Sequence, residues 1–378
     1  LPANSASSGS YQVDNSVRFD DGSGDILARS NGTPSSQRLF TFSGWYKKAT
    51  LASGVNFQFF ALYNDNTDRM DFRFQDGDTI DFRNNAPRCR ITTNRLFRDP
   101  SAWYHVCLRV DTTQSTAANR IRLYVNGVQE TSFSAADYGD QNDDLITDAS
   151  TFAVGDDSYG NAHYDGNMCE VVYCDGQSLA PTSFGEFDSD SGIWKPIDIS
   201  GLTFGNNGFY LEYKGTGTSA NSSGIGADTS GNDLHFAVNA FTAADQSTDT
   251  CTNNFATLNP LIYGSNYTWS EGNLQFTQAA TNWDTTYSSI GVTKGKWYME
   301  FKGKVGAYYD VGVTDVIDTT NNLTVNSGCV AFKSNGEFAR GGAVGDGLPS
   351  TITSPASNTY TANDIMGIAI DVDNEAVY

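Results

Sequence analysis

The stretch that decides the fold spans residues 99–130 and reads DPSAWYHVCLRVDTTQSTAANRIRLYVNGVQE. Apolar residues alternate with others from Tyr104 onwards, and after a polar loop the alternation resumes at Ile121. A period of two places successive side chains on opposite faces of a β-strand. The pattern therefore predicts strands with one well-buried face. In the first strand that face carries Tyr104, Val106, Leu108 and Val110, and the other carries Trp103, His105, Cys107 and Arg109.

The dipeptide Asn126-Gly127 closes the second alternating segment. Both residue types tolerate the positive φ that a two-residue hairpin turn requires. Val125 is therefore predicted to pair with Val128 across the turn. The stretch indicates antiparallel β-structure and by itself says nothing about function.

The composition of the whole chain favours an all-β protein. Its 378 residues include 37 glycines and 13% aromatic residues, and no long segment has apolar residues at helical spacing. Further alternating segments at 39–47, 56–63, 70–75 and 79–83 are separated by turn-forming Asp, Gly and Asn. Short strands at this spacing predict a sandwich of two antiparallel sheets. The length allows two or three domains of roughly 150 residues each.

The charge balance limits the partners that the chain can bind. There are 23 basic and 44 acidic residues, which gives a formal net charge of −21. Nucleic acid or an anionic membrane would be repelled unless a local basic patch intervened, and the sequence suggests no such patch. Membrane insertion is not predicted either, because no apolar run approaches the ~20 residues of a membrane span.

The six cysteines are irregularly spaced, in a chain that is too large to need disulfide staples. This favours free, partly buried thiols over disulfides. Cys169 and Cys174 lie five residues apart in one predicted strand, so we expect them on opposite faces and without a mutual bridge.

Several blocks in a fixed order resemble a known family. The segments FTFSGW (40–45), AWYHVCLRVD (102–111), LYVNGVQ (123–129) and the run from 152 to 186 resemble a laminin-G/concanavalin A-like lectin module. Together with GIWKPIDISG, NGFYLEY, IGADTSGND and CTNNFATLNP they resemble the form of this module found in fibre and appendage proteins of marine tailed phages. The resemblance covers roughly residues 10–262.

A second resemblance covers about the last 110 residues. GKWYMEFKG, DVGVTD and DIMGIAIDVDN resemble a SPRY domain, another concanavalin-like sandwich. Asp373-Asn374 reads as a hairpin turn whose return strand is cut short at Tyr378, so we expect this domain to continue beyond it. The fold class that follows is two antiparallel β-sandwich, or jelly-roll, domains in tandem.

Four segments make up the predicted domain layout. A lead-in (1–15) precedes a laminin-G-like sandwich (16–214), and a SPRY-like, C-terminally incomplete sandwich follows (266–378). The connecting segment 215–265 is rich in Gly, Ser and Asn. It could be a flexible linker or, by the phage resemblance, an ordered loop packed on the first sandwich.

The candidate ligand site lies in the loop between Gly155 and Gly166. Carboxylates beside aromatic faces suit a sugar, which needs hydrogen-bonding partners and a flat apolar platform. Because laminin-G-like modules sometimes hold calcium at the sandwich rim, these carboxylate oxygens are also candidate calcium ligands. A plain solvated loop is the alternative. The candidate residues are Asp156, Asp157, Tyr159, His163, Tyr164 and Asp165.

No catalytic residue is predicted. A glycoside hydrolase needs two carboxylates about 5 to 10 Å apart, and the nearest approach is Glu186, Asp188 and Asp190, in what we interpret as a solvated loop. His105 is interpreted as a packed or interfacial histidine rather than a base. Zinc is not expected, since neither a Cys-x-x-Cys nor a His-x-x-x-His pair occurs.

Three functions remain open from the sequence. The first is a non-enzymatic virion appendage protein, a fibre or spike, that binds a host-surface glycan or protein. The phage resemblance implies assembly in a bacterial cytoplasm, exposure on the particle surface, contact with other virion subunits and, by analogy, a homotrimer. The second is a purely structural decoration or assembly subunit, and the third is a glycosidase. Because all three share one fold, the fold does not choose among them.

Overall fold

The structure is a computed structural model that describes residues 11–157, 162–263, 267–278, 285–303, 309–317, 328–340, 351–353 and 359–378. The chain divides into two compact units, Leu1–Ala256 and Thr257–Tyr378. The second unit begins at Thr257, whereas the sequence predicted 266. In the described residues no helix is long and apolar enough to cross a membrane.

The first unit is built from short strands. Its 3-10 helices span Ala117–Asn119, Pro181–Ser183 and Ala243–Asp245. The strands are β1 Ser16–Phe19, β2 Ile26–Ser30, β3 Leu39–Lys48, β4 Phe57–Tyr63, β5 Arg69–Gln75, β6 Thr79–Asn84, β7 Cys89–Thr93, β8 Tyr104–Asp111, β9 Ile121–Val125, β10 Val128–Gln129, β11 Phe133–Asp137, β12 Thr151–Val154, β13 Gly166–Asp175, β14 Gly185–Phe187, β15 Trp194–Pro196, β16 Phe209–Leu211, β17 Ala237–Asn239 and β18 Gln246–Ser247.

Two antiparallel sheets form a sandwich. Sheet A has the order β10-β9-β8-β3-β13-β1-β18, with β16 also paired to β13, and sheet B has the order β11-β7-β6-β5-β4-β12-β2-β17. Their facing sides bury an aromatic core, in which Phe42 of sheet A packs on Phe60 of sheet B with ring centroids 4.4 Å apart. Since β17 and β18 complete one edge of each sheet, much of the segment after 214 belongs to the sandwich.

The predicted hairpin is confirmed. Strand β8 pairs with β9, and Val125 lies opposite Val128 across the turn. Val106, Leu108 and Val110 lie in the core between the sheets, as the alternation predicted. The opposite face of β8 is buried as well, because other segments of the chain cover the outer side of sheet A.

This outer cover of sheet A contains two further apolar clusters. Cys107, Val172 and Phe204 belong to one of them, together with residues of the segment that follows β13. Trp45, Trp103 and Trp194 belong to the other. Sheet A is therefore buried on both faces, so its strands read as more apolar than a one-sided sheet would require.

The expected opposite orientation of Cys169 and Cys174 is wrong. Both cysteines face the outer side of sheet A, because the register of β13 against β3 shifts between Cys169 and Val172. Glu170 takes a φ of 52° there, and the extra residue of this β-bulge reverses the alternation. All six cysteines are free thiols in the structure.

The second unit contains smaller sheets. Its pairings include β23 (Lys296–Lys302) with β28 (Ile365–Asp371), and β28 with the return strand β29 (Ala376–Val377), which confirms the turn predicted at Asp373-Asn374. The predicted second jelly roll and the SPRY resemblance stay predictions. The strands are β19 Leu258–Tyr263, β20 Tyr267–Ser270, β21 Gln275–Gln278, β22 Thr286–Ser288, β23 Lys296–Lys302, β24 Asp310–Thr314, β25 Cys329–Lys333, β26 Glu337–Arg340, β27 Thr351–Thr353, β28 Ile365–Asp371 and β29 Ala376–Val377.

Candidate functional site

Between Gly155 and Gly166 the structure describes residues 155–157, which follow β12, and 162–166, which lead into β13. These described residues are anchored by backbone hydrogen bonds, since Tyr164 N–H donates to the carbonyl of Gly155 at 2.7 Å and the carbonyl of Ala162 accepts from Gln58 N–H at 3.1 Å. Tyr159 lies outside the described residues. The structure therefore presents five of the six predicted ligand-binding residues.

Tyr164 does not face a ligand at the surface. Its ring is fully buried in the core between the sheets and packs edge-on against Phe19 at 5.9 Å. The hydroxyl donates to the carbonyl of Lys47 at 3.1 Å. The aromatic ring that the sequence suggested as a sugar platform is thus part of the core. Side chains alternate between the two faces on the way into β13, and Tyr164 lies on the inward-facing positions with Met168.

Asp156 and Asp165 are buried carboxylates rather than open ligands. Asp156 Oδ1 accepts from the N–H of Asp157 at 2.6 Å and lies 3.3 Å from His163 Nδ1, a contact that is not a well-formed hydrogen bond. Burial, followed by the charge of Asp21, raises the pKa of Asp165 to about 7. Among the described residues no group of three or more His, Cys, Asp or Glu is arranged to hold a metal ion.

Asp157 connects this loop to the outer face of sheet B. Its Oδ2 accepts from Arg69 Nη2 at 3.0 Å. Arg69 Nε in turn donates to both oxygens of Asp71 at 3.0 Å. Met70, Phe72 and Phe74 point into the core, so these charged side chains of β5 lie on the side of sheet B that faces away from it.

That outer side carries a network that we call the arginine face, defined by Arg69, Asp71, Arg73, Asp81, Arg83 and Arg90. The strand register fixes it: Asp71 lies opposite Arg83, Arg73 opposite Asp81, and Arg83 opposite Arg90. Side chains directly opposite in an antiparallel pair are about 5 Å apart at Cβ. Three neighbouring strands thus assemble one continuous charged surface.

Two buried aspartates hold the arginines in place. Asp71 accepts from Arg83 Nε at 2.7 Å, in addition to Arg69. Asp81 accepts from Arg90 Nε at 2.7 Å and from Arg73 Nη2 at 3.2 Å. Both carboxylates are 0% exposed, whereas the side chains of Arg83 and Arg90 are 32% and 34% exposed. The aspartates therefore position the two guanidinium groups, and the guanidinium groups form the accessible surface.

The electrostatics of the face reflect this packing. Burial alone would raise the pKa of Asp71, but the hydrogen bond and charge of Arg69, with those of Arg83, outweigh burial and lower it. Burial, followed by the positive charge of Arg83, lowers the pKa of Arg73. The Asp71 carboxylate is thus stabilised as an anion, while Arg73 lies in a locally positive environment.

The arginine face was not predicted from the sequence. A signal was present, since β5 reads RMDFRFQ and β6 reads TIDFRN, with charges of alternating sign at every second position. Opposite charges spaced in this way on consecutive strands can pair across a hairpin. The contribution of Arg90 is harder to predict, because β7 was not recognised as a strand.

The acidic residues considered as catalytic candidates, Glu186, Asp188 and Asp190, lie in the hairpin of β14 and β15 rather than in a cleft. Glu186 lies on β14, and Asp188 accepts from Lys195 Nζ at 3.1 Å. Hydrogen bonds from the Ser191 N–H and then from Lys195 lower the pKa of Asp188. A general acid needs a raised pKa, so this environment disfavours that role.

His105 is packed, as predicted. Its ring lies between Trp45 and Trp194, with centroids 5.0 and 5.7 Å away, and its Nε2 is 2.8 Å from Ser43 Oγ. Burial lowers the pKa of His105 to about 3. Glu170 lines the same small cavity, yet the histidine and serine are about 1% exposed, so a substrate would not reach them.

Comparison with known proteins identifies the class of residues 20–177. Residues 20–177 match the family model described as the concanavalin A-like lectin/glucanases superfamily. Within that superfamily the matching model is the laminin G type, so this part of the chain is a laminin G/concanavalin A-like lectin domain. No curated protein matches the sequence at a significant level.

Solved structures resemble the chain at low identity. A candidate carbohydrate binding protein from Bacteroides ovatus is 15% identical with a TM-score of 0.43, and the match covers 63% of this chain and 60% of that chain. Domains LG4-5 of the mouse laminin alpha1 chain are 10% identical with a TM-score of 0.35, covering 98% and 75%. The CBM40 of the Ruminococcus gnavus IT-sialidase, bound to alpha2,3 sialyllactose, is 12% identical with a TM-score of 0.30, covering 44% and 94%.

Proposed function

We propose that the first unit is a non-enzymatic glycan-binding module and that the arginine face is its binding surface. The observation that carries this is the partial exposure of Arg83 and Arg90 above aspartates that are 0% exposed. Polar groups that are fixed before binding lose little conformational freedom when a ligand arrives. Guanidinium groups also offer several donors in one plane, which suits the hydroxyl and ring oxygens of a sugar.

We also propose that the chain serves as a fibre or spike subunit on a virion, assembled as a homo-oligomer in a bacterial cytoplasm and exposed on the particle surface. The support is the ordered set of sequence blocks that resemble phage appendage modules. Its partners would be a host-surface glycan or protein and other virion subunits. The proposed absence of enzymatic activity rests on the surroundings of Glu186 and Asp188, which flank one short hairpin and both lie within ion-pair distance of Lys195.

A glycan array probed with the full 378-residue chain tests the binding function. We expect selective signals that fall at least about tenfold in the double variant Arg83→Gln/Arg90→Gln, because each lost charged hydrogen bond is worth about 1.5–3 kcal/mol. The matched control is Arg38→Gln. This arginine forms an exposed ion pair with Asp144 and no hydrogen bond to a residue of the arginine face, with side-chain exposures of 42% and 52%.

Two results would contradict the proposal. No selective glycan signal from folded protein would favour the purely structural subunit. Release of shorter sugars from a bound glycan, lost in Glu186→Gln or Asp188→Asn, would favour the glycosidase. Imaging labelled chains on a particle would separately test the virion role: a distal tip is expected, and a position buried between subunits would favour architecture.

A further inference from the structure

The local charge of the arginine face runs against the charge of the whole chain. The chain carries a formal charge of −21. On the arginine face, four guanidinium groups are packed with three carboxylates, those of Asp71, Asp81 and Asp157. A small positive surface in a strongly acidic protein favours an anionic group at that point and disfavours a long polyanion.

Arg83 and Arg90 form the exposed part of this surface. They lie directly opposite each other on β6 and β7, and like charges at such positions destabilise a sheet. The Nε of each is committed to a different aspartate, and Arg90 Nη2 donates to Gln75 at 2.7 Å. Across the described residues, Arg83 Nη1, Arg83 Nη2 and Arg90 Nη1 form no hydrogen bond. Two partly exposed guanidinium groups thus keep donors free at adjacent positions.

A second observation concerns buried polar atoms on this side of sheet B. Arg73 is 6% exposed and Gln58 is fully buried, and the two are cross-strand neighbours on β5 and β4. Arg73 Nε and Gln58 Oε1 have no hydrogen-bond partner within the described part of the chain. Buried polar atoms are nearly always satisfied by protein groups or by ordered water, so one donor and one acceptor remain available beside the network. Asp137, the neighbour of Arg90 on β11, is directed elsewhere, since its Oδ1 accepts from Gly139 N–H at 3.2 Å.

We propose that Arg83 and Arg90 together bind the carboxylate of an acidic sugar within an otherwise neutral glycan. This inference rests on the proposed glycan-binding function and specifies its ligand class. A carboxylate accepts paired hydrogen bonds from guanidinium groups, which adds geometric selectivity to the charge attraction. A bound carboxylate would also reduce the repulsion between the positive charges of Arg83 and Arg90. A single acidic residue fits better than a polyuronate, because the rest of the chain repels repeated negative charge.

The chain offers substitutions that should leave the fold intact. When Arg83 is replaced, Asp71 keeps Arg69 as its partner. When Arg90 is replaced, Asp81 keeps Arg73 and also the hydroxyl of Thr92, which donates to it at 2.7 Å. Neither change leaves a buried carboxylate unpaired, which is the costly outcome. Arg83→Gln and Arg90→Gln therefore test binding rather than folding.

The test compares acidic sugars with neutral partners; cellobiouronic acid and cellobiose differ only in the carboxylate, and sialyllactose adds one acidic residue to lactose. Cellobiouronic acid is titrated against cellobiose, sialyllactose against lactose, and lactose sulfate is a third arm, all with the full chain. We expect at least one carboxylate sugar to bind about tenfold or more tightly than its neutral partner. Arg83→Gln or Arg90→Gln should remove that advantage, so that the acidic sugar and its neutral partner bind within about twofold of each other. Arg83→Lys, which keeps the charge and loses the planar fork, should retain only part of it. Arg38→Gln should change nothing.

Salt provides an independent readout. Raising NaCl from about 50 to about 500 mM should weaken binding of the acid and spare the neutral sugar, because screening acts on the charge contribution. Equal binding of acidic and neutral glycans, or preference for the sulfate alone, would overturn this inference while the glycan-binding function stands. If no glycan binds in any arm or on the array, both fail.

Discussion

A Cβ atom on Gly127 would overlap the Trp194 ring, because the turn of one hairpin packs directly against the indole of another. Gly127 also takes a φ of 76°. The sequence accounted for the second property, since Asn-Gly turns require positive φ. The first property arises only when β15 is placed on the outer side of sheet A.

Gly127→Ala should therefore destabilise the first unit more than a turn substitution usually does. The strained φ costs about 1 kcal/mol, and displacing the indole adds about 1–3 kcal/mol of overpacking. Gly192→Ala is the matched control, since Gly192 has a φ of 68° and nothing within 4 Å of its built Cβ. Urea unfolding followed by circular dichroism measures both. Equal losses of unfolding free energy would show that the indole contact is unimportant.

Asp81→Ala should destabilise the first unit strongly. It removes the ion-pair partner of the Arg73 guanidinium, which has 7% side-chain exposure. Breaking a buried ion pair from one side costs about 3–5 kcal/mol. Arg90→Gln breaks the exposed side of the same network and should cost less than about 1 kcal/mol. A thermal unfolding comparison decides the matter, and similar shifts for the two variants would contradict the assigned burial.

Asp165 should make the stability of the first unit fall as pH rises. Its pKa is raised from 3.8 to about 7 in the folded state. A carboxyl group with a raised folded pKa contributes stability that is fully present below pH 3.8 and lost as pH rises through about 7. The expected slope is about 1.4 kcal/mol per pH unit within that window. In Asp165→Asn the slope should become less negative, as measured by unfolding at several pH values.

Glu170 should act in the same direction. Burial raises its pKa from 4.5 to about 7 in spite of hydrogen bonds from Tyr210 and Tyr11. Glu170→Gln keeps most of the shape and removes the ionisation, so its unfolding free energy should depend less on pH between about 4.5 and 7. A variant with unchanged pH dependence would show that this carboxyl titrates normally.

His105 should remain neutral far below the pH at which histidine usually titrates. Burial lowers its pKa to about 3, so the stability that the neutral ring contributes is lost only as pH falls from 6.5 towards 3. The ring nitrogens, followed by NMR, should keep neutral shifts down to pH ~4. Titration near 6.5 in the folded protein would mean that Trp45 and Trp194 do not exclude water from the ring.

The sequence by itself determined the central strands, the turn and the class of residues 20–177. Alternation from Tyr104 to Val110 identifies a core face, because successive side chains of a strand must point to opposite sides. Asn126-Gly127 identifies the turn, because few residues accept its backbone angles. These properties are local, because they depend only on residues that are adjacent in the sequence.

Only the tertiary structure decided which side chains meet. The bulge at Glu170 turned Cys169 and Cys174 to the same side of sheet A. The composition of the strand does not indicate where such an extra residue is inserted. Tyr164, a candidate ligand contact, lies in the core. Arg83 and Arg90 became neighbours through the register of β6 and β7. Register is set by the burial of whole strands rather than by any single residue. The sequence therefore predicts the sandwich fold, whereas the surface proposed to bind a ligand is formed only by the pairing of the strands.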